Sequence, residues 1–502
     1  MKIKSLLIVY WCAIMCTLFV YKAEAINVDL ANQLFHDGEY QKAKKEYLLA
    51  VNSGNPAIYY QLGMISLKED TPNKDINAII WFALAAEQDY ENSAQIYSEI
   101  MSNIAPSERE KVIAIVAKFK SSYGIEKVKK KYYPELKDEQ LKNKISFENS
   151  TDSSNHFETT ELFEDDFEQS FDDEDPSVFE DDYDSGWTDN TFARQQPRSI
   201  ENRNYFLVVD YDVAPDGSRR DFSPVQVIGN PRKGIEQLAH SPLSTPMLDN
   251  NSVSFVHRAY LGVANYSIFQ IRKEFPSLYS KIRKLVSRLK GSDVADEQYK
   301  LALIYSYFTW LKIEDQQIEE LLLDAANKNH ARAQFEYGMK LYREQREIKT
   351  SLKWIEKAAQ AGVFDAQYRL GKLLLDSPFV KNDQSKAAFW LNAAAYNGHM
   401  MALKHLTYLK LDANVDELID VKQAIENLDV MQSTFKDDPE YYYLRALAYR
   451  NKESRRLDLA VISMREAIDL ADDYGWDVTE WQNMLKQWTS GGSVTIAEIE
   501  EG

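Results

Sequence analysis

Apolar residues recur at helical spacing over two long stretches of this chain, with a strand-like alternation between them. Near the N-terminus, Ala57-Ile58-Tyr59-Tyr60-Gln61-Leu62-Gly63 is followed by Ala78-Ile79-Ile80-Trp81-Phe82-Ala83-Leu84-Ala85-Ala86. Far downstream come Ala333-Gln334-Phe335-Glu336-Tyr337-Gly338 and Trp354-Ile355-Glu356-Lys357-Ala358-Ala359-Gln360-Ala361-Gly362. The pattern returns as Ala366-Gln367-Tyr368-Arg369-Leu370-Gly371 and Trp390-Leu391-Asn392-Ala393-Ala394-Ala395-Tyr396-Asn397-Gly398. Gly338 to Gly371 is a step of 33, and Trp354 to Trp390 one of 36. Periods of this size predict stacked pairs of antiparallel helices, which form binding surfaces far more often than active sites.

The residues fit that geometry. A glycine inside a helix costs about 1 kcal/mol against alanine, so Gly63, Gly338 and Gly371 are expected where a neighbouring helix approaches closely. Paired alanines at 85–86, 325–326, 358–359 and 393–394 serve the same packing, and Gly362 and Gly398 stand where left-handed caps would end the second helices. Tyr59, Tyr60, Tyr337, Tyr368 and Trp390 are expected to pack between helices. These residues and spacings resemble the Sel-one-like repeat family, a relative of tetratricopeptide repeats. The resemblance covers about 330–410 and 55–93 and extends to Tyr299–Ala326. Leu30 to Asn52 and Pro439 to Leu470 resemble ordinary tetratricopeptide repeats.

One stretch alternates instead. Tyr205, Leu207, Val209, Tyr211 and Val213 share one face of a strand. Ala214-Pro215-Asp216-Gly217 then marks a turn, since proline presets φ and glycine permits positive φ. Asp221–Ile228 predicts a second strand, Ile235–His240 a short helix and Val253–Val263 a last strand. That order resembles the C-terminal domain of TonB energy transducers over about 203–270, best at Val208-Val209-Asp210-Tyr211-Asp212-Val213-Ala214-Pro215-Asp216-Gly217. A bare hairpin would carry the same turn. The TonB resemblance implies binding of outer-membrane receptors by strand pairing, and it directs attention to the last strand, where Val253, Phe255, His257 and Ala259 alternate to one side. The aromatic residue that family carries before its proline is missing from Leu243 to Pro246, and more than 200 residues follow the domain here.

Lys2 and Lys4 precede an apolar run from Ser5 to Tyr21, and Ala23-Glu24-Ala25 supplies a small-x-small site, so residues 1–25 are expected to be a secretory signal cleaved before Ile26. The alternative is a retained anchor: 17 residues reach about 25 Å, just short of a bilayer core. Both cysteines, Cys12 and Cys16, lie in that run, which suits a periplasmic protein without disulfides or metal thiolates. The net charge of −19 is concentrated: between Lys144 and Arg194 there are 17 acidic residues and no lysine or arginine. Such a stretch is expected to be a disordered linker, and the overall charge disfavours nucleic acid. It also holds Phe163, Phe167 and Phe171 at four-residue steps. These read either as an acidic-aromatic docking motif for a basic groove or as incidental aromatics in a spacer.

Enzyme signatures are lacking. The seven histidines (His36, His156, His240, His257, His330, His399 and His405) form no His-Glu-x-x-His pair, and His399 and His405 fall on different helical faces. No Gly-x-Ser-x-Gly elbow or phosphate loop is present. Carboxylate pairs such as Asp376 and Asp383 are expected by chance among 78 acidic residues.

The expected fold is mainly α: helical-hairpin solenoids with a small α+β TonB-like domain between them and an acidic disordered linker. The expected boundaries are a signal at 1–25, N-terminal repeats at 26–135, the acidic linker at 136–202 and the α+β domain at 203–272. Sel-one-like repeats at 273–420, tetratricopeptide-like helices at 421–490 and a flexible tail at 491–502 follow. The expected function is a non-enzymatic scaffold in the periplasm of a Gram-negative bacterium, binding envelope proteins and, among them, TonB-dependent receptors or their machinery. No cofactor, metal or catalytic residue is expected. The alternatives are a membrane-anchored TonB-type energy transducer for outer-membrane transport and a cell-wall enzyme regulator.

Overall fold

A computed structural model describes residues 28–147, 205–241, 243–451 and 454–490. In chain order, seven helices come first: α1 (Val28–His36), α2 (Tyr40–Leu49), α3 (Pro56–Lys68), α4 (Lys74–Ala85), α5 (Ser93–Asn103), α6 (Pro106–Tyr123) and α7 (Ile125–Tyr132). The strands follow, with one helix among them: β1 (Ser146–Phe147), β2 (Phe206–Val213), β3 (Arg219–Ile228), α8 (Arg232–Ala239), β4 (Pro246–Leu248), β5 (Asn251–Ser252) and β6 (Phe255–Gly262). Next are α9 (Ile268–Glu274), α10 (Pro276–Leu289), α11 (Ala295–Tyr307), α12 (Asp315–Asn327), α13 (Ala331–Arg343), α14 (Ile348–Gln360), α15 (Phe364–Asp376), α16 (Gln384–Tyr396) and α17 (Met400–Asp412). Last come α18 (Val421–Met431), α19 (Pro439–Arg450), α20 (Leu457–Asp473) and α21 (Thr479–Ser490). No helix among the described residues is long and apolar enough to cross a membrane. The chain divides into two compact units, the first formed by Met1–Lys142, Ile282–Ser306 and Lys312–Leu403, the second by Asn143–Lys281, Tyr307–Leu311 and Lys404–Gly502.

In the first unit the expected hairpins are α3–α4, α13–α14 and α15–α16. Their small residues set the packing distance. A Cβ placed on Gly371 would lie 2.6 Å from Leu391 Cγ, so α15 and α16 approach only because that atom is missing. Gly362 ends α14 at φ +97°, the left-handed cap its position predicts. Tyr59, Tyr337, Tyr368 and Trp390 are buried between helices.

Two stretches far apart in sequence share this core. Asn55 donates from Nδ2 to Gln360 O at 2.9 Å, and Trp390 donates from Nε1 to Tyr132 O at 2.7 Å. Leu136 forms an antiparallel bridge with Val380, flanked by Lys137 N to Phe379 O (2.9 Å) and Lys381 N to Glu135 O (2.8 Å). Residues 136–147, where the sequence predicts the start of the acidic linker, thus take part in backbone pairing. They carry little net charge, and apolar Leu136 and Ile145 favour burial. The rest of that expected linker, like the expected signal at 1–25 and tail at 491–502, lies outside the described residues.

In the second unit β2 is the central strand of an antiparallel sheet ordered β3-β2-β6, and β1-β4-β5 form a smaller one. Strand, strand, helix and strand therefore follow in the predicted order, with the short β4–β5 hairpin added before β6. The turn after β2 closes with Gly217 at φ +84°, its N–H bonded to Ala214 O at 2.9 Å. Leu207, Val209, Tyr211 and Val213 form a core with Leu238 of α8 and Ala259 of β6. The opposite face of β2 is buried too, where simple alternation leaves it unassigned. Phe206 meets Phe308 with ring centroids 5.3 Å apart, and Asp210 accepts two hydrogen bonds from Arg258, at 2.6 and 2.9 Å.

Candidate functional site

The strand chosen from sequence for partner pairing is β6, an edge strand of its sheet by order. Its register sets Val213 opposite Phe255, Tyr211 opposite His257 and Val209 opposite Ala259. Phe255 and Ala259 are buried, so these two side chains serve the core and leave the main chain as what an added strand would meet. His257 is half-buried, its ring 4.8 Å from Phe147 and 6.0 Å from Tyr211. Val253 precedes the strand and donates its N–H to Pro246 O at 2.9 Å.

Among the described residues of the second unit, a group of charges surrounds Lys404, which is 2% exposed. Its Nζ lies 2.9 Å from Asp221, 3.0 Å from Asp438 and 2.6 Å from Glu440. Asp438 is placed by its role as the N-cap of α19, accepting from Glu440 N at 2.8 Å ahead of Pro439. His405 Nε2 meets Asp221 at 2.9 Å, and Arg220 stacks on Trp476 at 3.9 Å while pairing with Asp216 at 2.6 Å. Burial pulls the Lys404 ammonium down, but the three carboxylates overcome it and hold the group well above its ordinary value. Burial pushes Asp438 up, whereas at Glu440 burial is outweighed by Lys404, Arg220 and His405 acting together, which pull it down. A lysine held protonated has no lone pair for nucleophilic chemistry. The cluster ties the β2–β3 hairpin to the C-terminal helices and is a structural lock, invisible in the sequence because members such as Asp221 and Glu440 lie more than two hundred residues apart.

Two further histidines, His330 and His399, are capping and stacking residues. His330 and His399 accept through Nδ1 from the N–H groups of Ala333 and Ala402, each at 3.1 Å. Each ring lies against a tyrosine (Tyr299 at 4.6 Å, Tyr368 at 4.3 Å), with Asp296 or Asp365 at its other nitrogen. Accepting at Nδ1 requires the neutral ring with its proton on Nε2. Burial lowers the His330 pKa, against the pull of Asp296 and with help from Arg332 and Lys300. His399 and His405 do not converge: one caps a helix and the other meets Asp221.

The carboxylates singled out from sequence, Asp376 and Asp383, are likewise engaged in local contacts. Asp376 pairs with Lys372 at 2.7 Å and Asp383 caps α16, so the two have separate structural roles. Asp315, Glu319 and Glu344 come close enough to hold a cation. Lys340 already pairs with Asp315 and Glu344, and Arg346 with Glu319 and Glu344, which neutralises much of their charge. Glu356 on α14 is the outlier: burial pushes its carboxyl up to about 7, against the pull of Lys129 and Lys353. Two open clefts are present. One of ≈ 530 Å³ beside α2 and α3 is lined by Tyr40, Lys42, Ile65, Lys68 and Glu69, and one of ≈ 360 Å³ between α20 and α21 by Arg465, Ile468, Gln482, Leu485 and Lys486. Neither contains a histidine or an arranged nucleophile.

The model of the Sel1 repeat family matches residues 57–90, 331–363 and 364–399, the segments that hold α3–α4, α13–α14 and α15–α16. These hairpins are Sel1 repeats. Among solved structures, a Sel1 repeat protein from Oxalobacter formigenes is 19% identical, with 42% of this chain and 97% of that one covered and a TM-score of 0.32. A protective antigen of uropathogenic Escherichia coli displaying an SLR fold is 21% identical, with 46% and 49% covered and a TM-score of 0.30. No curated protein matches the chain. Sel1 repeats generally mediate protein–protein interaction, and the family matches lie wholly within the first unit.

Proposed function

We propose that this chain is a non-enzymatic scaffold of the bacterial envelope, holding protein partners on its Sel1 repeats. The observation that carries this reading is the set of three Sel1 hairpins, whose glycines and buried aromatics serve helix packing. Export rests on the N-terminal sequence: a basic start, an apolar run and Ala23-Glu24-Ala25. The partners are envelope proteins, gripped by side chains that the hairpins leave exposed, such as Tyr396. The second unit supplies a separate contact through the main chain of β6, the mode a TonB-like domain uses, and that edge favours strand addition over a side-chain pocket.

The test is photo-crosslinking in the native host with a reactive phenylalanine at Tyr396 or Tyr408, paired with the same probe at His257. Discrete protein adducts from the helical positions support the scaffold. Absence of adducts from them, in a correctly folded chain, removes the reading. The intact mass from envelope fractions decides the location. A species beginning at Ile26 supports a periplasmic scaffold, and one retaining Met1 in the inner membrane supports an energy transducer.

A further inference from the structure

We propose that the lysines of α14, flanked by those of α7, form a docking face for an acidic segment of a partner protein. The inference rests on the scaffold reading and names the chemistry of the partner. The chain has 78 acidic residues against 59 lysines and arginines, and these two helices, both in the first unit, reverse that balance. α14 carries Lys349, Lys353 and Lys357 at four-residue steps, on the side opposite its buried Leu352, Ile355 and Ala358. α7 carries Lys127, Lys129, Lys130 and Lys131 and buries Val128. The acids within the two helices are Glu126 and Glu356. Every one of these lysines is exposed, and among the described residues none of them forms an ion pair. Aromatic rings hold two of the ammonium groups instead: Lys131 lies 4.9 Å over Tyr132 and Lys357 4.5 Å over Trp354, contacts that leave the charge uncompensated.

The core seats α7 beside the repeat helices. The ring of Tyr132 lies 4.0 Å from that of Phe389, and its carbonyl accepts from Trp390. Glu356 joins the two sets of lysines: Lys129 of α7 and Lys353 of its own helix both draw on its carboxyl, and Tyr133 faces it from the end of α7. Burial nonetheless holds that carboxyl at about 7, while Tyr133 is held well above its ordinary value and keeps its proton. Glu356 is therefore charged and repels an anion at about pH 8, and is neutral at about pH 6. Lysines four residues apart on a helix repel one another, a strain that a bound anion relieves. Each step of four residues rises about 6 Å, close to the roughly 6.6 Å between alternate residues of an extended chain. A segment with acids at alternate positions sets one carboxylate against each lysine of α14. No large apolar side chain of α7 or α14 is exposed, so the face suits an acidic peptide rather than a bilayer.

The experiment is fluorescence anisotropy of the full-length chain with a labelled dodecapeptide alternating glutamate and serine, at about 0.05 M salt where exposed charges are weakly screened. A peptide alternating glutamine and serine is the uncharged control and should not bind. K349Q, K353Q and K357Q together should weaken binding of the acidic peptide at least about tenfold. K281Q, K284Q and K290Q on α10 should leave it within about twofold. Lowering the pH from about 8 to about 6 should tighten binding by the wild type and not by E356Q. No binding by the wild type, or equal loss in the two lysine variants, would overturn the proposal. A footprint of the wild type requires no variant: the peptide should protect Lys349, Lys353 and Lys357 from acetylation, read by mass spectrometry, and unprotected lysines would overturn the proposal too. Flotation with phosphatidylglycerol vesicles that depends on the same three lysines, without peptide binding, would assign the face to lipid and reject an acidic peptide. Host adducts from Tyr396 without peptide binding reject this face and leave the scaffold standing. Peptide binding at these lysines without host adducts supports the face and removes the scaffold.

Discussion

Glu356 and His330 give the first unit two opposed responses to pH. A carboxyl raised to about 7 in the folded state stays protonated there while its unfolded counterpart ionises near 4.5. Glu356 therefore subtracts stability as pH rises from 4.5 to 7 and imposes a constant penalty above that. Glu356→Gln should remove that slope and raise stability at pH 8 by roughly 1–3 kcal/mol, read from urea unfolding across pH. His330 works in the other direction. Its folded pKa lies below 6.5, so its contribution is complete above 6.5 and is lost as pH falls through the folded value. Asparagine caps without titrating, so His330→Asn should leave stability at pH 8 nearly unchanged and flatten the acid side of the profile. Neither response is legible in the sequence. The proton position on His330 is set by Ala333 N and by Tyr299 and Asp296 some thirty residues earlier, a juxtaposition with no local pattern.

At the scale of elements, what repeats is what could be read. The hairpins and their glycines announce themselves because each repeat solves the same packing problem within its own thirty-odd residues. Gly371→Leu should cost about 2–4 kcal/mol through overpacking against Leu391, visible as a lower thermal midpoint. Gly371→Ala combined with Leu391→Ala should be less destabilising than the two single costs added, since the new methyl enters space the leucine vacates. The order of elements in 203–272 was equally readable, from alternation and one Pro-Asp-Gly turn. The second buried face of β2 was not, because alternation assigns that face no role and Arg258, the partner of Asp210, stands on another strand. The Lys404 cluster escaped for the same reason. Lys404→Met would leave three carboxylates around a neutral side chain and should cost about 3–5 kcal/mol near neutral pH. The loss should shrink in acid, as the carboxylates protonate and their mutual repulsion ends, and an unchanged pH profile would refute the lock.

At the scale of the whole molecule, the composition of the first unit departs most from a linear reading. Periodicity marks where helices are, not which distant helices they meet. The side-chain hydrogen bond of Trp390 to the Tyr132 carbonyl is one joint between the two stretches, and Trp390→Phe should weaken it by about 1–2 kcal/mol. The α1–α7 and α13–α16 regions should lose hydrogen-exchange protection together in that variant; loss in one region alone would mean that the stretches are energetically separate.

The joint at Trp390 also sets a schedule. Synthesis proceeds from the N-terminus at about 5–20 residues per second, so α7 and the strand-like segment after it wait roughly 12–50 seconds for Phe379–Lys381 and Trp390 to be made. During that interval Tyr132 O has no indole to accept from, and the apolar flank meant for α14–α16 faces whatever surrounds the nascent chain. An early fragment is therefore finished long before its complement exists. Expressing the segment up to residue 142 alone should yield aggregation that the later Sel1 hairpins, supplied in trans, relieve.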